Sequence, residues 1–290
     1  ENWSILFKGI KYMFKWMAFA FLFYSFYEMK TEWTWLLRPV NFIVLMGLYR
    51  FKLLDKIGFF LIIGIYFVIA IGVDQRMEFL YLSLVLALLL IDKLFSIKIQ
   101  KRFLKYIFGS FILVFTFIFT IGYEDLSYLI SLAVEYQDTR TFLYQELFLD
   151  LNSFEELFGK GSLGTQFSEF FAGTRRYYDA IGNTAWRGDS PIRITTEVGY
   201  LQMLLKGGYT LLILNVLISF NASYVAIFKS NNKFVRRLGY YILIISALSL
   251  ISFRPAFTPT FIIFWMAIGT VLNKKYRIMN DDEINKLIQF

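Results

Sequence analysis

Hydrophobic residues fall along this chain in long runs, separated by short charged turns and by one extended polar stretch, Tyr123 to Glu197. A helix needs roughly twenty apolar residues to cross a bilayer. Against that length the runs predict about eight spans, near 12–28, 35–49, 57–73, 77–91, 105–122, 199–227, 237–253 and 258–273. The second and fourth are short, and the sixth is long enough to project beyond the membrane. Arg38 and Pro39 mark a helix entry or kink at the second. No internal repeat is visible, which argues against a solenoid. The expected fold is all-α: a polytopic transmembrane helix bundle with a large extracytoplasmic loop that contains short amphipathic helices. It divides into residues 1–122, the loop 123–198, and residues 199–290.

Composition agrees with that class. The chain is 57% hydrophobic and 20% aromatic over 290 residues, with a positive mean hydropathy. There is no cysteine, which removes disulfides, thiolate catalysis and cysteine-bound zinc. There is no histidine either, so acid–base chemistry must rest on carboxylates, lysine, arginine, tyrosine or hydroxyls. Lys8, Lys11 and Lys15 precede an apolar run that ends in Tyr27, Glu28, Met29 and Lys30 without small residues for cleavage, which predicts a retained first helix. The chain starts at Glu1, so processing, trimming or missing upstream helices all stay open.

Charge then orients the spans. Basic residues cluster at 8, 11 and 15; at 50, 52 and 56; at 93, 98, 101, 102 and 105; at 229, 233, 236 and 237; and at 274, 275, 277 and 286. The opposite short loops hold only Lys30, Arg38, Arg76 and Arg254. Positive loops stay inside, so both termini are expected in the cytoplasm and the long loop outside. The net charge of +8 is thereby a topological signal. Within the loop, acids outnumber bases, so no nucleic-acid surface is expected.

The type of base changes the picture again. Lysine dominates the cytoplasmic clusters, whereas the outer side is rich in arginine: Arg38, Arg76, Arg140, Arg175, Arg176, Arg187, Arg193 and Arg254. Either residue would serve for anchoring. A planar guanidinium grips phosphate or carboxylate through two parallel hydrogen bonds, so recognition of an anionic oxygen cluster accounts for the reversal.

Inside the loop, Leu126, Leu129, Ile130, Ala133 and Val134 recur at helical spacing, as do Phe142, Leu143, Leu147, Phe148 and Leu151. Asp138 can cap the second helix, which puts Arg140 in its first turn. A cation there opposes the helix dipole. Either an anion arrives at Arg140, or Arg140 pairs with Asp138 or a nearby glutamate. LFGKGSLG (157–164) carries three glycines, a pattern for tight turns or for close backbone approach to a ligand, but its spacing is not that of a P-loop. Arg175 and Arg176 stand beside Tyr177 and Tyr178, and Trp186, Arg187, Gly188 and Asp189 follow. Rings beside arginines and acids suit a carbohydrate surface and also suit an ordinary loop. Glu197 sits where the loop enters the sixth span, above Tyr200, Lys206, Gly207 and Gly208. It is either a helix-stabilising acid or, with histidine absent, the general base.

The layout resembles the bacterial O-antigen polymerase and O-antigen ligase superfamily. The likeness covers the topology broadly and residues 138–210 more specifically. It rests on Asp138, Thr139, Arg140 and Leu143, on LFGKGSLG, on Glu197 followed eleven positions later by Gly208, and on the helices after the loop. Glu197 stands where ligases place histidine, which favours polymerase. Eight spans are also fewer than the ten or more usual in that superfamily.

The resemblance implies transfer of glycan from undecaprenyl diphosphate to an acceptor sugar hydroxyl outside the cytoplasmic membrane, without metal or other cofactor. It makes Glu197 and Arg140 the catalytic candidates. Arg187, Arg193, Arg175, Arg176, Arg254 and Tyr200 are the candidates for binding diphosphate or glycan. Implied partners are the lipid-linked oligosaccharide, the growing polysaccharide, the bilayer, and other assembly proteins such as a flippase or chain-length regulator. The expected location is the bacterial cytoplasmic membrane, multi-pass. Polysaccharide ligase and lipid-linked oligosaccharide transporter are the alternatives.

Overall fold

The computed structural model describes residues 3–9, 38–47, 53–72, 76–94, 139–180, 191–253 and 255–288, together with 12, 102, 104–106, 109 and 110. It is mostly helical, as the hydrophobic runs require. The chain forms two compact units. One comprises residues 1–101, 218–246 and 256–290, and the other 102–217 and 247–255.

In the first unit, α1 (Pro39–Gly47), α2 (Leu53–Gly72) and α3 (Arg76–Leu94) pack against one another. Pro39 opens α1, where its missing N–H costs nothing. Glu78, in the first turn of α3, is fully buried. The Arg38 guanidinium pairs with it, Nε donating at 2.9 Å to Oε1, while the Tyr66 hydroxyl donates to Oε2. Asn41 donates to Tyr66 at 3.3 Å. An unpaired carboxylate at this depth would be untenable, and the arginine and tyrosine together neutralise and saturate it. The apolar patterning gives no warning of this pair.

The same unit holds α8 (Lys233–Leu248) up to Ser246, α9 (Pro259–Leu272), α10 (Lys274–Ile278) and α11 (Asp281–Ile288). Phe42 meets Tyr241 edge-on at 4.9 Å, and the Trp3 indole donates to Thr270 at 2.8 Å. Asn231 and Asn232 bind the chain carbonyls of Arg277, Ile278, Tyr276 and Met279, which ties α8 to the end of α10.

The second unit contains α4 (Thr139–Asp150), α5 (Ser153–Phe158), β1 (Gln166–Phe167), α6 (Glu169–Ala180), β2 (Ile192–Arg193) and the first part of α7 (Gly199–Lys229). Leu143 and Leu147 of α4 and Leu151 just after it recur at intervals of four and are buried with Phe171, Val198, Leu201, Leu204 and Leu205. The amphipathic stretch over 126–134 lies outside the described residues. α5 starts with a capping box: Asn152 accepts from the amides of Phe154 and Glu155, and Glu155 accepts from the Asn152 amide.

A kink in α7 organises this unit. Gly208 has φ 60° and ψ −163°, outside helical space. Two carbonyls at the kink accept amides from the glycine-rich loop: Leu205 from Lys160 at 2.8 Å and Lys206 from Gly161 at 3.2 Å. The Thr210 hydroxyl donates to the Leu157 carbonyl at 2.7 Å, and Lys206 donates to the Gly164 carbonyl at 2.8 Å. A Cβ on Gly159 would overlap the Gly207 amide, and one on Gly208 would overlap the Leu157 carbonyl. Gly159 of LFGKGSLG thus admits close approach, and what approaches is the α7 backbone.

Of the predicted spans, six coincide with α1, α2, α3, α7, α8 and α9. The runs near 12–28 and 105–122 fall almost wholly outside the described residues. Among the described residues, α7 alone is long and apolar enough to cross a membrane by length and composition. Residues Phe60–Ile71 and α9 are shorter apolar helices. The count of about eight spans therefore does not stand on these helices. With nine residues, α1 reaches less than half the ~30 Å of a hydrocarbon core. α3 carries Arg76, Glu78, Asp92 and Lys93 at its ends, and the first turns of α8 hold Lys233, Arg236 and Arg237. The long sixth run is helical as expected, but its first nine residues, up to the kink, are core of the loop unit.

Candidate functional site

β1 and β2 form a two-residue antiparallel ribbon in which Gln166 faces Arg193 and Phe167 faces Ile192. Cross-strand partners share a face, so Gln166 and Arg193 project to the same side. The ribbon is held just after β1 and by the helix it packs on. The Ser168 amide donates to the Pro191 carbonyl at 2.9 Å, and β1 packs on α4. Glu146 of α4 accepts from the Ser168 hydroxyl at 2.6 Å and from the Phe170 amide at 2.8 Å. This carboxylate caps the start of α6, where the helix dipole favours an anion.

The Arg193 side chain is only 17% exposed. Its guanidinium lies over the Phe171 ring, 3.8 Å from the centroid, a stacking that arginine favours. Among the described residues its nearest acid is Glu197, with Nη2 and Oε1 3.9 Å apart. That distance is too long for a hydrogen bond. Opposite, the Gln166 amide is 1% exposed, and neither its nitrogen nor its oxygen finds a partner among the described residues. A buried amide left unsatisfied costs about 1–3 kcal/mol, so such a group asks for a ligand or a role. The ribbon therefore carries a stacked guanidinium and a buried amide that can both donate and accept, and the Glu197 carboxylate lies four residues beyond Arg193.

Glu197 itself is 55% exposed and precedes α7, whose first turn holds no acid. Helix stabilisation from within the first turn is therefore not its role. Val198 bridges to Phe253, the residue before Arg254, and the Gly199 amide donates to the Ser252 carbonyl at 3.0 Å. Phe253 takes φ 58°, a costly conformation for a bulky residue. The Tyr144 hydroxyl donates to the Leu250 carbonyl at 2.6 Å, and burial pushes this phenol up to about 12, so it stays a donor at any physiological pH.

The other sequence candidates fall as follows. Arg140 is in the first turn of α4, as expected. Arg175 and Arg176 lie on α6, and Arg176 is exposed, its Nε donating to the Ala172 carbonyl at 3.3 Å. Tyr200 is 8% exposed and belongs to the hydrophobic core of this unit. Arg187, Arg254 and Asp138 lie outside the described residues. Lys160 is engaged by Asp150 at 2.7 Å. Among the described residues no three carboxylates are grouped closely enough to hold a metal ion.

Two residues escaped the sequence reading: Gln166 and Glu146. A polar side chain on the buried face of a two-residue strand leaves no periodic trace, and Glu146 reads as an ordinary solvated position on an amphipathic helix.

No protein family, no curated protein and no solved structure matches this chain.

Proposed function

We propose that this chain is a multi-pass enzyme of the bacterial cytoplasmic membrane, with both termini cytoplasmic, that polymerises lipid-linked oligosaccharide repeat units. The observation that carries the reading is the Arg193 guanidinium, largely buried, stacked on Phe171, and facing among the described residues only the Glu197 carboxylate, at 3.9 Å. Its fork suits a diphosphate oxygen pair. Gln166 beside it can donate to phosphate or exchange hydrogen bonds with a sugar hydroxyl. In this reading Arg140 and the loop arginines would add further positive charge, and no metal is invoked.

In the proposed reaction the bond from the anomeric carbon to the diphosphate oxygen breaks, and its electron pair leaves on undecaprenyl diphosphate. The acceptor hydroxyl oxygen bonds to that carbon from the opposite face, with inversion. Its proton passes to the Glu197 carboxylate, a general base open to the acceptor. Preorganised arginines stabilise the charge that develops on the leaving group.

In a reconstituted assay with lipid-linked repeats, Glu197→Ala is expected to lower the rate of chain growth by about 10²–10⁴-fold. Parental growth in that variant would remove Glu197 from the chemistry. A transporter of lipid-linked oligosaccharide is favoured by one observation, the buried Glu78–Arg38 pair within the helices of the first unit. Lipid-linked repeats crossing vesicle membranes without any chain growth would select that reading.

A further inference from the structure

Arg236 of α8 is 6% exposed, and its Nε is buried without an acceptor among the described residues. Its neighbour Arg237 is differently placed. There Nη2 donates to Asp92 Oδ2 at 2.9 Å and Nη1 to the Met46 carbonyl at 3.1 Å. Asp92 and both arginines border Tyr240, and Asp92 is engaged by Arg237; Asp281, the acid at the start of α8, accepts the Lys233 amide. A buried guanidinium Nε without an acceptor is costly, and an anion reaching Arg236 would satisfy it.

Lys233 precedes Arg236 by three positions on the same helix, so the two cations share a face, and Lys233 is exposed. The amides that open α8 are occupied. Asn232 Oδ1 accepts from Val235 at 2.8 Å and Asp281 Oδ1 accepts from Lys233 at 2.7 Å. Recognition at this place therefore falls to side chains. An arginine fork holds a phosphate through two parallel hydrogen bonds, and Nε can supply one of them. The segment belongs to a basic loop (Lys229, Lys233, Arg236, Arg237) of the kind that faces an anionic leaflet.

We propose that Arg236, with Lys233, holds the phosphate of an anionic phospholipid at the cytoplasmic leaflet. The proposal rests on the membrane topology given above and not on the glycan chemistry.

The test compares the full chain with Arg236→Gln in nanodiscs of phosphatidylcholine with and without phosphatidylglycerol, counting retained phosphatidylglycerol by native mass spectrometry. The parent is expected to keep phosphatidylglycerol that the variant loses, with retention falling about tenfold. Lys286→Gln, which removes an exposed charge on α11, is expected to keep it. Should Arg236→Gln fail to fold, Arg236→Lys preserves the charge, removes the fork and is expected to show a partial loss. Equal retention in the parent and the Arg236 variant that folds would overturn the proposal. Displacement by excess inorganic phosphate would reassign the site to a soluble oxyanion. Release of the chain from membranes by alkaline carbonate would overturn the topology itself, whereas retention with unchanged lipid binding would remove this proposal alone.

Discussion

Arg193→Ala is expected to slow polymerisation of lipid-linked repeats by about 10²–10³-fold, the usual cost of removing one preorganised donor to a developing negative charge. The side chain is fixed by three things: the β1–β2 pairing, the Phe171 ring beneath its guanidinium and the carboxylate of Glu197 at 3.9 Å. None of these uses up its hydrogen bonds as a close salt bridge would. Arg193→Lys keeps the charge but loses the fork and the flat stacking surface, so it is expected to recover only a small part of the rate. Gln166→Met separates catalysis from folding at the same place. It removes two unsatisfied buried polar atoms at similar volume, so the protein should be as stable as the parent or more so, while activity drops. The measurement is initial rate of chain growth beside thermal unfolding of each purified variant. Full activity in Arg193→Ala would dissociate the ribbon from the chemistry.

Gly208→Ala carries the largest expected effect on folding. The residue sits at φ 60°, and an added Cβ would overlap the backbone of Glu156 and Leu157. Backbone strain costs about 1–3 kcal/mol. Relieving the overlap would also part the loop from the Leu205 and Lys206 carbonyls that Lys160 and Gly161 hold. A total of roughly 3 kcal/mol or more follows, read as a clear fall in Tm. Gly161→Ala provides the contrast, because its φ of 80° is also strained but no atom lies within 4 Å of the new methyl. It should lose only about 1 kcal/mol. Gly173→Ala, within α6 and in open space, should be neutral or slightly stabilising. Unfolding of Gly208→Ala at the parental temperature would contradict the clamp.

The parts of the fold that follow from local periodicity were legible in the chain. Leu143, Leu147 and Leu151 announce α4 because a single apolar stripe suffices to define an amphipathic helix. The long sixth run likewise announces α7. Its division at Gly208 was not legible, since Gly207 and Gly208 could equally sit within a straight helix. The kink exists because a loop some fifty residues earlier supplies amides to it, and no local pattern encodes such a partner. The same limit hid the Arg38–Glu78 pair, whose members are forty residues apart and become neighbours only when α1 packs on α3.

The candidate site divides the same way. Residue type pointed to Arg193 and Glu197, and the structure brings these two together. Tyr200, adjacent in sequence to the same region, goes to the core because α7 turns that face inward. Gln166 joins the site through strand pairing alone.

The most direct test is the identity of the lipid-linked species that accumulates in cells lacking this chain, read by mass spectrometry of the lipid fraction. The account predicts single repeat units on undecaprenyl diphosphate. Completed polymer on the same carrier, or an unchanged lipid profile, would contradict it.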